Sequence, residues 1–141
     1  MTDLSLTTSR TIAAPRARVF DAWLDAKMLA RFMKPMPEMP EPKSETDPRV
    51  GGRFSILMMA GEDELPHGGT YKVINPHDQI VFTWESPFSV DDSTVTLDFA
   101  DDGDGTKVTL THVKFADEES RDNHEKGWGA ILAKQAEVMG Q

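Results

Sequence analysis

Cysteine is missing from the sequence. This absence excludes disulfide bonds, a cysteine nucleophile and zinc sites built on thiolates. Basic side chains are also few, because 15 Lys and Arg stand against 24 Asp and Glu, which leaves a formal net charge of -9. No cluster of Lys and Arg offsets this charge locally. We therefore expect neither nucleic acid nor an anionic membrane surface as a partner.

Long apolar runs are missing as well. No stretch approaches the roughly 20 residues that span a bilayer, and residues 1–6 have neither the basic nor the apolar region of a secretory signal. We therefore expect a cytoplasmic protein without a membrane span. The 141 residues, of which 38% are hydrophobic and 28% charged, have the length and composition of one globular domain, residues 1–141.

The N-terminal part predicts one strand followed by two short helices. Apolar and polar residues alternate between Leu4 and Ile12, as they do in a half-buried strand. Pro15 suits the first helical position, where its missing N–H costs nothing, and Asp25 can cap a second helix. The density of proline in residues 35–42 excludes a helix and a central strand, and it favours a polyproline-II loop.

The rest of the chain predicts an antiparallel meander and one long helix. Turn signals cut residues 44–113 into short strands, and residues 117–139 follow a helical pattern with Trp128, Ile131 and Leu132 on the apolar face. The strands that follow the first turn are predicted over Arg53–Met59, Thr70–Ile74, Gln79–Glu85, Thr94–Phe99 and Thr106–Val113. The result is an α+β fold with about seven strands in the order β-α-α-β6-α. One helix cannot fill the trough of a strongly twisted sheet, so we expect a cavity between the C-terminal helix and the sheet.

Sequence motifs along almost the whole chain resemble one known family. They are Ile12–Pro15, Val19–Trp23, Val50–Phe54, Gly69–Ile74, Pro76, Ile80–Trp84, Val108–His112, and His124 with Gly127-Trp128. In this order and spacing, the chain resembles the START-like (SRPBCC) superfamily, whose fold is the helix grip. Within it, the chain resembles the branch named after activators of the heat-shock-90 chaperone ATPase. It departs from the family at Phe32 and Met33, where tryptophans are common, and at Gln135, where leucine is.

The resemblance implies that the cavity binds a small hydrophobic or amphipathic ligand. We predict ten ligand-binding residues: Trp84, Trp128, His124, Tyr71, Phe32, Met36, Met58, Ile131, Gln135 and His112. Apolar burial would supply most of the affinity, and polar groups such as His124, Gln135 or Tyr71 would fix the orientation of the ligand. Trp23 is expected to be structural.

Two other functions are left open by the sequence. START-like relatives include polyketide cyclases and hydrolases, in which His112 or His124 would act as the acid or base. No catalytic triad, nucleotide-binding loop or paired carboxylates support an enzyme, so binding is the favoured hypothesis. The family name also implies a stress-response cofactor that activates a chaperone ATPase. The additional N-terminal domain of the eukaryotic activators has no counterpart here, so a chaperone partner is expected least.

No cofactor or metal site is predicted. The four histidines are too scattered for a short metal motif, and the aspartates of residues 101–104 lack the downstream glutamate of a calcium loop. They are expected to form a solvated hairpin turn. Homodimerisation through a sheet edge or the Met/Pro loop is left open, as is the question of which of Glu85 and Asp98 faces the cavity.

Overall fold

The computed structural model describes residues 4–34, 40–60, 62–86, 90, 93–115 and 117–139. Its elements, in chain order, are β1 Ser5–Ile12, α1 Arg16–Ala22, α2 Ala26–Phe32, β2 Lys43–Thr46, β3 Arg53–Ala60, β4 Asp63–Asn75, β5 Gln79–Thr83, β6 Thr94–Asp102, β7 Gly105–Val113 and α3 Glu118–Met139. The strands form one antiparallel sheet in the order β1-β7-β6-β5-β4-β3-β2. The predicted α+β helix-grip fold is confirmed.

The helices divide the inner face of the sheet between them. Helix α3 packs along β1, α1 packs against β6 and β7, and α2 lies between α3 and β2. The β1 half of the sheet is therefore covered mainly by α3 and the β2 half mainly by α2. Within the described part of the chain, no helix is both long and apolar enough to cross a membrane.

Local signals place the ends of the short helices. Pro15 is the N-cap of α1, one position earlier than predicted. Asp25 caps α2 as predicted, because its carboxylate accepts a hydrogen bond from the backbone N–H of Lys27 at 2.9 Å. Residues 35–39, which include most of the predicted polyproline-II loop, lie outside the described residues.

Strand β4 begins at Asp63, well before the predicted Thr70. Its first half pairs with β3 over the full register from Arg53↔Thr70 to Ala60↔Asp63. The prediction was wrong because Pro66 and the adjacent glycines weaken a strand locally, whereas pairing with an apolar neighbour outweighs that preference.

The turns contain glycine where the backbone requires it. Gly51 has a φ of +86°, which other residues rarely adopt, and a Cβ on Gly52 would lie only 2.1 Å from the carbonyl oxygen of Asp47. The turn between β6 and β7 is an exposed hairpin with Gly103 at a φ of +61°, as expected for the aspartate-rich segment.

The core lies between the inner face of the sheet and the three helices. Alternation places Val95, Leu97 and Phe99 of β6, and Val108 and Leu110 of β7, on this inner face, where all are buried. The helices contribute buried side chains from α1, α2 and α3 to the same core. This arrangement places the candidate site on the other half of the sheet, over β3, β4 and β5.

Candidate ligand site

A small internal space lies between α2 and the central strands. It is lined by Trp23, Leu29, Met33, Phe54, Ile56, Tyr71, Phe82 and Trp84. Its volume is about 10 Å³, which is room for about one water molecule and far below the roughly 300–1,000 Å³ of formed ligand pockets. This space is much smaller than the hollow expected beneath α3, and aromatic side chains form most of its wall. No residue of α3 lines it.

The ten predicted ligand-binding residues fall into different places. Tyr71 and Trp84 line the internal space. Phe32, Met58 and Ile131 are buried in the core but do not line it, and Met36 lies outside the described residues. Trp128, His112 and His124 form a neighbouring cluster, and Gln135 bonds to Trp23, which lines the space. Of the nine predicted residues that the structure describes, two therefore line the space and seven do not.

The three tryptophans differ in how their indole N–H groups are paired. All three side chains are at most 4% exposed. Trp23 donates to Oε1 of Gln135 at 3.0 Å, and Trp128 donates to Nδ1 of His112 at 3.0 Å. Trp84 Nε1 is buried and has no hydrogen-bond partner. A buried donor without an acceptor costs about 1–3 kcal/mol, so Trp84 is the exception that calls for an explanation.

Aromatic rings surround Trp84. Its ring centroid lies 4.8 Å from that of Trp128, 5.1 Å from His67, and 6.3 Å from each of Phe54 and Phe82. The imidazole of His67 donates its Nδ1–H to the carbonyl oxygen of Leu65 at 2.8 Å, and burial lowers the pKa of His67. The indole N–H of Trp84 therefore lies in a largely apolar environment.

His112 is locked into one neutral form by its two partners. Nδ1 accepts the hydrogen of Trp128, so the proton of the neutral ring is on Nε2, which lies 2.5 Å from Oγ of Ser93. Burial, and to a smaller extent the nearby His124, lower the pKa of His112 to about 3. No lone pair is left to abstract a proton, which argues against the acid-base role considered for His112. With both nitrogens occupied inside the protein, its predicted contact with a ligand is also not supported.

His124 lies beside His112. The two ring centroids are 5.3 Å apart. The Nδ1–H of His124 donates to the carbonyl oxygen of Ser120 at 2.7 Å, so this histidine is half-buried and bonded to the backbone of its own helix. A contact between His124 and a ligand stays a prediction.

Gln135 serves the core rather than a cavity. It is fully buried, its Oε1 accepts from Trp23, and its Nε2 donates to the carbonyl oxygen of Val19 at 3.4 Å. The amide thereby ties α3 to α1. The sequence analysis assigned it to the ligand as a polar group that would fix the ligand's orientation, whereas the structure pairs it with groups of the protein.

Neither Glu85 nor Asp98 enters the interior. Glu85 is exposed and forms a two-point ion pair with Arg53, at 2.8 and 3.2 Å, which lowers the pKa of Glu85. Asp98 is exposed and accepts from Gln79 at 2.9 Å. The Arg53–Glu85 pair borders an open depression of about 600 Å³, which Glu45, Ser55 and Gly68 also line. An exposed pair of this kind contributes little to stability.

Ser44 is a polar residue of the inner face that the sequence analysis missed. Its Oγ is buried and has no hydrogen-bond partner. It lies opposite Ile56 in the β2–β3 register, and Ile56 lines the internal space. Thr46, two residues further along the same face, donates to the carbonyl oxygen of Leu24 at 2.9 Å. The alternation of residues 43–46 was the available signal, but four polar residues in a row do not indicate which face is buried.

The described residues contain no group of three or more His, Cys, Asp or Glu that could hold a metal ion. The chemistry available at the internal space is therefore apolar contact together with hydrogen bonding by neutral groups.

Comparisons with known proteins agree with this fold. The family model described as Activator of Hsp90 ATPase homolog 1-like protein matches residues 13–140. Protein CV1439 from Chromobacterium violaceum is 23% identical with a TM-score of 0.85, covering 97% of each chain. The AHSA1-like protein from Aeromonas hydrophila is 24% identical with a TM-score of 0.82, covering 95% of this chain and 90% of that one. Mll3558 from Rhizobium loti is 27% identical with a TM-score of 0.79, covering 96% of each. None of the curated proteins matches this chain.

Proposed function

This chain belongs to the family of Activator of Hsp90 ATPase homolog 1-like proteins, and we propose that it binds a small, largely apolar molecule that carries a hydrogen-bond acceptor. The observation behind this proposal is the buried indole N–H of Trp84, which has no acceptor. An acceptor atom of the ligand would accept a hydrogen bond from this N–H group. Its apolar body would lie against Tyr71, Phe82 and Ile56, which line the same space.

A neutral acceptor fits this environment better than an anion. Folded proteins pair nearly all buried polar groups, and the other two tryptophans here are paired. A carbonyl or ether oxygen at Trp84 would form a bond worth about 0.5–1.5 kcal/mol net. A carboxylate would lose far more hydration in an apolar interior, and the net charge of -9 would repel it.

The space must enlarge before it can hold such a molecule, since about 10 Å³ is available. Met33 is part of its wall, and Met58 is buried on the same face of β3, two residues from Ile56. Methionine has an unbranched side chain that adapts to irregular gaps. Binding would therefore be coupled to movement of wall side chains, and the free energy of that movement reduces the observed affinity.

A thermal-shift titration tests the proposal with two probes of equal length, 2-undecanone and undecane, which differ in the carbonyl acceptor. We expect the ketone to raise the melting temperature more than the hydrocarbon does. Trp84→Phe keeps an aromatic ring but removes the N–H, so it should weaken ketone binding about fivefold. Undecane is the matched control, because it offers no acceptor to the N–H of Trp84, so Trp84→Phe should leave its binding unchanged. Silence of the ketone would contradict the proposal.

The two alternative functions stay predictions. Turnover by a cyclase or hydrolase mechanism would have to rely on His124, since both ring nitrogens of His112 are already hydrogen-bonded within the protein. Association with a chaperone is implied by the description of the family alone, and a pull-down with the chaperone tests it directly.

A further inference from the structure

We propose, resting on the function proposed above, that the ligand carries a second polar group that pairs with Ser44. The ligand would then lie across strands β2 to β5 rather than along α3. Ser44 Oγ and Trp84 Nε1 are the two buried side-chain polar atoms without a hydrogen-bond partner in the part of the chain that the structure describes. Their shared position on one half of the sheet suggests one shared partner.

The sheet register places the two atoms at opposite ends of one apolar floor. Ser44 lies opposite Ile56 on β3. At the other end, Gly68 forms a bridge with Glu85, which puts the preceding Trp84 beside β4, just beyond the end of β5. Three strand spacings of about 4.8 Å separate β2 from β5, or about 14 Å. Ile56 and Phe54, which line the internal space, lie on β3 between these ends.

The chemistry of the two ends defines the class of ligand. The indole of Trp84 can only donate, whereas the hydroxyl of Ser44 can both donate and accept. The two ends thus complement an elongated, neutral molecule with a carbonyl or ether oxygen at one end and a hydroxyl or amide at the other. A simple lipid with one polar head would satisfy Trp84 and leave Ser44 unpaired.

Thr46, on the same strand as Ser44, shows that a side chain of β2 can find a hydrogen-bond partner within the protein. Both side chains face inward from β2 and both are half-buried. Thr46 bonds to the carbonyl oxygen of Leu24, whereas the hydroxyl of Ser44 meets no acceptor. A residue that only completed the packing would be expected to find a protein partner as Thr46 does.

Isothermal titration with 2-undecanone and its ω-hydroxy derivative tests the inference. In the unmodified protein, we expect the hydroxyketone to bind about fivefold more tightly than the ketone. Ser44→Ala should abolish this difference and leave the affinity for the plain ketone unchanged. Trp84→Phe should weaken both probes by the same factor.

The outcomes separate the inference from the proposed function. If the ketone binds but the added hydroxyl gives no gain, the inference is overturned and the proposed function stands. If neither probe binds, both the proposed function and the inference are overturned.

The stability of the variants measured without ligand tests the inference a second time. Ser44→Ala should be at least as stable as the parent, because it removes an unpaired hydroxyl, whereas Thr46→Val should be less stable because it loses the bond to Leu24. A loss from Ser44→Ala that equals the loss from Thr46→Val would show that Ser44 has a structural partner, and would overturn the inference.

Discussion

The two halves of the interior differ in how their buried polar groups are paired. On the side of α3, Gln135 accepts from Trp23 and His112 accepts from Trp128, and both indoles border the region of Trp84. Beneath α2, Trp84 and Ser44 have no partners. The paired half gains stability from its polar groups, whereas in the other half packing must offset the cost of leaving them unpaired. Such a local deficit is typical of sites that are shaped for a ligand rather than for stability alone.

The largest expected effect comes from replacing one tryptophan of each half by phenylalanine. Trp128→Phe shrinks a core side chain and leaves Nδ1 of His112 without its donor, so we expect the free energy of unfolding to fall by about 3 kcal/mol. Trp84→Phe shrinks a side chain equally but removes an unpaired donor, so we expect a loss of about 1 kcal/mol. Urea denaturation measures both. Equal losses of stability in the two variants would contradict the expected difference between the two halves.

The next effect is a pH dependence that belongs to the paired half. The ordinary pKa of a histidine is 6.5, and in the folded protein the pKa of His112 is lowered to about 3. Between these values the unfolded chain binds more protons than the folded one, so stability falls as the pH falls, by up to about 1.4 kcal/mol per pH unit. Burial also lowers the pKa of His67, which adds a contribution of the same sign.

His112→Gln isolates the contribution of His112. Its amide can accept from Trp128 and donate to Ser93, but it does not titrate. Unfolding measured between pH 6.5 and pH 5, above the range of most carboxylates, should show a shallower loss of stability in the variant. An unchanged slope would mean that His112 is not the group that resists protonation.

The smallest effect is a coupling between Gln135 and Trp23. Gln135→Leu leaves the indole N–H of Trp23 unpaired and should cost about 2 kcal/mol. Trp23→Phe removes that donor, so it should cost about 1 kcal/mol less in the Gln135→Leu background than in the parent. A double-mutant cycle by urea denaturation measures the coupling. Strictly additive losses would contradict the bond between these side chains.

Most of the fold could be predicted from the sequence because its signals are local. Alternation located β1, β6 and β7, and the capping role of Asp25 located α2. Where pairing between strands decided the outcome, local signals failed, as in the first half of β4 around Pro66. The number of strands and the meander of β2 to β7 followed from the turns, since short connections leave few arrangements open, whereas the place of β1 beside β7 was not predicted.

The candidate site was less predictable because it depends on partners distant in sequence. The tryptophans could be picked out from the sequence as candidate site residues. Whether each indole N–H has an acceptor depends on contacts such as the one that joins Trp23 to Gln135 across 112 positions. The predicted hollow was an argument about the backbone alone. The rings of Phe54, Phe82 and Trp84 pack against one another. How much of the interior these side chains occupy could not be derived from the positions of the strands.

The indole N–H signals in a two-dimensional ¹H–¹⁵N NMR spectrum test the central claim most directly. The chain has three tryptophans, and the single Trp→Phe variants assign one signal to each. On titration with 2-undecanone, we predict that the Trp84 signal moves downfield as its N–H gains an acceptor, and that it moves further than the Trp23 and Trp128 signals, whose N–H groups are already bonded. A Trp84 signal that does not move when the ketone is saturating, or one already at a hydrogen-bonded position in the empty protein, would contradict the account.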